Sequence, residues 1–412
     1  MTWHLFDLEH PLISADNTWM LWTLCILGAT AAILLEQKYR WAAKVTGTLI
    51  ALLIAALLSN LGIIPMQSGV WDSVWDYIAP LCIPMLLLKC NVRCLGRDAG
   101  RVLTVFLIGS VGTALGAIAG YFLLRNSIPE LGRLAGVFTG TYTGGAVNFT
   151  DICRTFAVPA ETVSAATVAD NSMMALYFIV LTWIPSVAFF RNRYDHPLID
   201  DVEADSNAVY GDNTVYIPAY SAEDRISLKD VALTVSISIV IVSISHFLGN
   251  IFMDVIPQTN VLLKMLGALL SNEYVWISAI SITCASLKPQ FFGSIGGTNI
   301  LGTFIIYIFF FVIGVPASVA GLINGSAILL LYALIVVAFN MLFCFVLGRL
   351  LGCSLEEIII ASNANIGGPT TAAAMAMTKG WSRLAGPAVI VGVLGYALGT
   401  YLGLVVGSIL GI

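Results

Sequence analysis

Thr139-Gly-Thr-Tyr-Thr-Gly-Gly-Ala-Val-Asn-Phe-Thr-Asp151 and Ser362-Asn-Ala-Asn-Ile-Gly-Gly-Pro-Thr-Thr-Ala-Ala-Ala374 superpose without a gap at an offset of 223 residues. Each sets a glycine pair, Gly144-Gly145 or Gly367-Gly368, among Thr, Ser and Asn inside an apolar stretch. Glycine loosens a helix, and the backbone groups it releases need partners where there is no water. Two such interruptions in corresponding places of two halves point to the binding site of a secondary transporter. The spacing predicts non-helical backbone near 144–148 and 367–371, with the two breaks facing each other near the bilayer midplane.

The rest of the chain agrees with a membrane setting. Of 412 residues, 58% are apolar and 10% charged, and the mean hydropathy is +0.90, which excludes a water-soluble globule. Apolar runs of spanning length fall near 18–36, 45–66, 74–90, 102–124, 133–157, 160–190, 229–253, 261–288, 298–322, 325–350, 355–378 and 384–411, about twelve in all. No ten-residue alternation suggests a barrel, so the fold class is an all-α polytopic membrane protein. It divides into a first half, 1–190, an acidic hydrophilic linker, 191–228, and a second half, 229–412. The linker reads as a solvated connector. Lys38, Arg40 and Lys44 in the first loop and Arg93, Arg97 and Arg101 in the third, with no basic residue between Gln67 and Ser73, make the amino terminus extracytoplasmic. A bacterial cytoplasmic membrane is the expected location.

Function classes other than transport find little support. Three of the four histidines, His4, His10 and His196, lie outside the spans, and no nucleophile–base set or phosphate-binding loop is present. No enzymatic activity and no cofactor are expected. Cys90 and Cys94 could share a helical face, but two ligands are too few for a closed metal site. No nucleic-acid partner is expected either. The partners are the lipid bilayer and a small-molecule or ion substrate, and a homodimer is compatible with the sequence. Gly112, Gly116 and Gly120, and Gly395, Gly399, Gly403 and Gly407, form period-four stripes that suit close helix packing.

The polar residues at the breaks are candidates for substrate contact: Thr141, Thr143, Gly144, Gly145, Asn148 and Thr150 in one half, and Asn363, Asn365, Gly367, Gly368, Thr370 and Thr371 in the other. Their oxygen and amide groups suit a sodium ion or a polar solute, although the same groups can simply satisfy released backbone. Asp170 stands about ten residues into the sixth span, where a carboxylate normally faces a cavity or a partner. With Asn171 and Asp151 it is the candidate for the coupling ion, sodium near Asp170 or a proton. The reading is a secondary active transporter, Na+- or H+-coupled, that moves a small polar or anionic solute by alternating access. The alternative is a cation/proton antiporter or channel-like pathway that uses Asp170 and needs no organic substrate.

Residues 139–151, Ala364-Asn-Ile-Gly-Gly-Pro-Thr-Thr-Ala373 and Leu394-Gly-Tyr-Ala-Leu-Gly-Thr-Tyr-Leu-Gly403 resemble those of the YjcL-like membrane proteins, a family known as domain of unknown function eight-one-nine. The resemblance covers nearly the whole chain. It implies membership of a superfamily of cation/proton antiporters, bile-acid-type sodium symporters and auxin-type carriers. The implied fold is two structural repeats with crossed broken helices, arranged as a core domain that moves against a panel domain. Asp170-Asn171 is similar to the acidic cation-binding pair of those antiporters, with Asn in place of the second acid, and no Lys stands at Val393–Tyr396 to neutralise it. One conflict arises from the count itself. Six spans per half would set both broken helices in the same direction, whereas an inverted repeat needs opposite directions. The stretch 261–288, interrupted by Ser271-Asn-Glu273, is the expected place for an extra pass or a re-entrant segment.

Overall fold

The computed structural model describes residues 11–39, 42, 47–88, 92–128, 130–209, 226–257, 263, 267, 270–271, 273–316 and 327–411. Among these residues there are helices and no strands. In chain order they include α1 (Thr18–Lys38), α2 (Gly47–Asn60), α3 (Gly69–Ser73), α4 (Ala79–Leu87), α5 (Val92–Leu124), α6 (Leu131–Gly144), α7 (Ala146–Thr155) and α8 (Ala160–Trp183). They continue with α9 (Pro197–Val209), α10 (Leu228–Val255), α11 (Glu273–Leu287), α12 (Thr298–Gly314), α13 (Ala327–Leu350), α14 (Leu355–Ile366), α15 (Gly368–Thr378) and α16 (Ser382–Ile409). Six of them, in α1, α5, α8, α10, α13 and α16, are long and apolar enough to cross a bilayer. Of the stretch 261–288, the part Glu273–Leu287 is helix α11, while most of 261–272, and Cys90 and the Cys94 side chain, lie outside the described residues.

The two glycine segments do not cross the membrane as broken helices. Each folds back on itself. Arg133 donates to the Ala157 carbonyl at 3.3 Å, and Asn148 donates to the Gly140 carbonyl at 3.2 Å. A side chain added at Gly136 would meet the Phe156 ring, and one at Gly140 would meet Ile152. In one continuous helix Arg133 and Ala157 would be about 36 Å apart, so α6 and α7 form an antiparallel hairpin closed at Gly145. The second segment repeats the pattern. Asn363 donates to the Thr371 carbonyl at 3.2 Å and reaches the Met375 sulfur at 3.6 Å, which folds α15 back along α14. With 10–14 residues each, these helices are about 15–21 Å long, too short for a hydrocarbon core of roughly 30 Å. This corrects both the crossed-helix expectation and the count of about twelve spans, because each apolar run near 133–157 and 355–378 folds as a hairpin of two short helices.

The hairpins enter from opposite ends of the bundle. The base of α14–α15 lies beside the start of α5, where Arg101 pairs with Glu357 at 3.0 Å and Arg383 grips Asp98. α5 then runs the length of the bundle, and the base of α6–α7, with Glu130 and Arg133 paired at 2.6 Å, follows its far end. The glycine stripes bring helices into close contact. Gly112, Gly116 and Gly120 of α5 lie against Phe343, Phe339 and Tyr332 of α13, and Gly395, Gly399 and Gly403 of α16 lie against backbone of α6. Lacking a side chain, they permit the approach that dispersion contacts need in lipid.

Helices pack mainly within two sets. One comprises α5–α8, α13–α16; the other comprises α1–α4, α10–α12. Part of the linker is also structured. Leu355 N–H donates to the Asp195 carbonyl and Ile199 N–H to Glu356 Oε1, each at 2.8 Å, so α9 docks on the first turn of α14 instead of being solvated throughout. Residues 210–225 lie outside the described part.

Candidate functional site

The hairpin tips meet. Gly145 has φ +87° and ψ −177°, a conformation that is essentially restricted to glycine, and Gly368 has φ +79°. A side-chain carbon added at Gly145 would stand 3.8 Å from the Gly368 Cα. The interruptions are narrower than 144–148 and 367–371: helix resumes at Ala146 and Gly368, because one glycine turn suffices to reverse the chain. Each tip presents a carbonyl end and an N–H end, so the four partial charges of about half an electron largely offset one another. The sign of the site is then set by its side chains.

A cavity of about 1140 Å³ opens from the tips toward the end of the bundle that carries Gln67 and Ser68. Thr141, Gly145, Asp170 and Asn171 line it from the first half, and Gly367, Thr370 and Tyr396 from the second. The opposite wall comes from the other helix set, including Trp71, Trp75, Tyr274 and Ile313. The site therefore lies between the two sets. Asp170, on α8, is 8% exposed, and no ion pair to it exists among the described residues. The hydroxyls of Thr141 and Tyr142 are the side chains turned toward its carboxylate, yet Tyr142 Oη, sealed from solvent, lacks a hydrogen bond of normal geometry.

The remaining sequence candidates stand elsewhere. Asn148 donates to the Gly140 and Gly395 carbonyls, both at 3.2 Å, and accepts from Thr400 at 3.0 Å. Asn365 donates to the Phe106 and Ala361 carbonyls and accepts from Ser110 at 2.9 Å. Thr371 donates to Asn363 and to the Gly368 carbonyl. These buried groups tie the hairpins to themselves, to α5 and to α16. Thr143 is buried, Gly144 lies against the Gly395 carbonyl, and Thr150 and Asp151 are exposed outside the cavity. Asn148→Ala is thus expected to lower stability by about 1–3 kcal/mol, because it leaves buried carbonyl and hydroxyl groups unpaired. Thermal unfolding reads this as a lower Tm, while binding in the cavity is retained.

Several lining residues carried no obvious signal in the sequence. Trp75, Asp76 and Tyr77 lie on a π-helical turn, Val74–Ile78, between α3 and α4. Such turns recur at functional sites because they bulge side chains out of helical register. Asp72 and Asp76 are one turn apart, with Trp71 and Trp75 beside them, and this four-residue repeat was the available clue. His246 and Glu273 come from α10 and α11, paired at 3.1 Å. Tyr274 shares a hydrogen bond with Thr370 and stands 6.5 Å, ring to ring, from Tyr396. Only the fold brings these together.

A chain whose described residues are helical, with six helices long and apolar enough to span, is a multi-pass membrane protein that sits in a lipid bilayer. The chain belongs to the family described as "Protein of unknown function (DUF819)", whose model matches residues 23–411. It is 40% identical over 399 residues to the "Uncharacterized membrane protein YjcL" of Bacillus subtilis (strain 168), covering 97% of this chain and 98% of that relative.

Proposed function

We propose that this protein is a secondary active transporter that works by alternating access, with Asp170 holding the coupling cation or proton. The observation that carries this reading is the convergence of two hairpin tips on one cavity whose floor holds a buried carboxylate. Helix ends in mid-bilayer are tolerable where they line a cavity, and paired interruptions mark the binding site of carriers built from repeats.

The helix order supports such a repeat. A long helix, a hairpin and a second long helix (α5, α6–α7, α8) recur as α13, α14–α15, α16, and the offset of 223 carries Gly145 onto Gly368. The two triads run oppositely, since α5 begins and α13 ends at the end holding Arg101, Arg349 and Arg383. Hairpins entering from opposite ends remove the conflict of direction that the span count created. The set α5–α8 with α13–α16 would be the moving core, and the set α1–α4 with α10–α12 the panel. The arginine-rich end would face the cytoplasm, so the amino terminus is extracytoplasmic and the cavity opens outward. Among the described residues, none at the arginine-rich end lines the cavity, which favours a carrier over a channel-like pathway. We further propose a bacterial plasma membrane location, no enzymatic activity, and a homodimer as the assembly to test.

Counterflow tests the reading. With the membrane potential clamped at zero, proteoliposomes loaded with unlabelled sodium are expected to accumulate radioactive sodium transiently against its gradient, because a carrier exchanges what a channel merely equilibrates. Uptake that only relaxes toward equilibrium would support a channel, and uptake matching empty vesicles for sodium and for protons would overturn transport altogether.

A further inference from the structure

We infer that the solute carried through this cavity is an organic cation, an amine with an apolar or aromatic body; the inference rests on the transporter reading and names its substrate class. The expectation of an anionic solute meets a lining of the wrong sign. Asp72, Asp76, Asp170 and Glu273 all border the cavity, and among the described lining residues there is no Lys or Arg. The one histidine, His246, is engaged with Glu273. With the helix dipoles offsetting one another at the tips, no Lys or Arg among the described lining residues compensates an anion, whereas a cation meets a full opposite charge.

The acids are graded by depth. Asp72 and Asp76 are exposed at the mouth, where like-signed side chains raise the local concentration of counter-ions. Asp170 is nearly sealed at the floor, where a lone carboxylate is costly unless a cation offsets it. Beside it the hydroxyls of Thr141 and Tyr142 turn toward the carboxylate, and Thr141 also borders the cavity.

Size and walls separate an organic cation from a bare ion. A volume of about 1140 Å³ matches or exceeds the roughly 300–1,000 Å³ of small-molecule pockets, far more than a sodium ion requires. Trp75, Tyr77, Tyr274 and Tyr396 line it together with Met174 and Ile313. Aromatic faces attract ammonium groups and also bury the body attached to them. Asn171, Thr141 and Thr370 supply oxygen atoms to accept from N–H groups.

The experiment compares matched ligands on the purified protein by thermal shift: phenethylamine, protonated at neutral pH, 2-phenylethanol and 3-phenylpropionate, with tetraethylammonium as a second cation. At least one cation is expected to stabilise at tenfold or more lower concentration than the alcohol and the acid, and Asp170→Asn should erase that preference. The double variant Asp72→Asn, Asp76→Asn, at exposed positions that tolerate substitution, should weaken the cation several-fold without changing the alcohol. Equal stabilisation by all ligands, a preference for the acid, or a cation preference unchanged in both variants would overturn the inference. Sodium counterflow that depends on Asp170, with neither cation competing, would overturn the substrate class alone and leave the transporter reading standing.

Discussion

Asp170→Asn is expected to abolish cation binding and cation-driven flux while the protein stays folded. Asn keeps the shape of the side chain and its capacity to accept from the Thr141 hydroxyl, but it removes the charge that offsets a desolvated cation. Removing one partner of a buried ion pair costs roughly 3–5 kcal/mol, which is more than two orders of magnitude in affinity. The unliganded protein should respond in the opposite sense. A carboxylate 8% exposed, without an ion-pair partner among the described residues, is costly to bury, so its replacement is expected to leave Tm unchanged or raised. Sodium titration monitored by thermal shift checks both halves. A variant with a lower Tm and intact sodium response would mean that Asp170 serves to hold Thr141 and Tyr142 in place.

The contrast between Asp170 and the asparagines also marks how far the sequence could be read. The membrane class, the two glycine interruptions and Asp170 were all visible, because composition, a positive-φ requirement and a lone mid-span carboxylate each leave a local trace. What residues do once they are placed left none. Asn148 and Thr370 looked alike beside a break, yet one is consumed by Gly140, Gly395 and Thr400 and the other faces the cavity. The direction of the chain after each Gly-Gly pair was equally hidden. An apolar run of twenty-odd residues reads as one crossing whether it continues or reverses, and the reversal is fixed by pairs such as Arg133–Ala157 and Asn363–Thr371. The far wall at Asp76 and at Glu273-Tyr274 comes from two segments nearly 200 residues apart, so no local pattern could announce it.

The neighbouring glycines of the first tip should separate folding from function. A side chain at Gly144 would collide with the backbone carbonyl of Gly395 and with Asn148; the carbonyl is held within α16 and cannot swing aside. Gly144→Ala must therefore push α16 away from α6 or distort the tip, a cost at or above the upper end of the roughly 1–3 kcal/mol seen for overpacked interiors. Reduced yield of folded protein and a much lower Tm are expected. Gly145 differs in kind. Its nearest neighbours would stand 3.6 Å from an added carbon, at the Tyr396 ring, so space is not the obstacle; the obstacle is φ +87° with ψ −177°. Forcing a non-glycine residue there costs on the order of 1–3 kcal/mol, borne by the turn alone. Gly145→Ala should accordingly fold with a modest loss of Tm but change the tip where it faces Gly368 and the cavity. Sodium counterflow should then fall by a larger factor than stability does. If Gly145→Ala kept full flux, the tip would be only a loop closing a hairpin, and the meeting of the two tips would carry no part of transport.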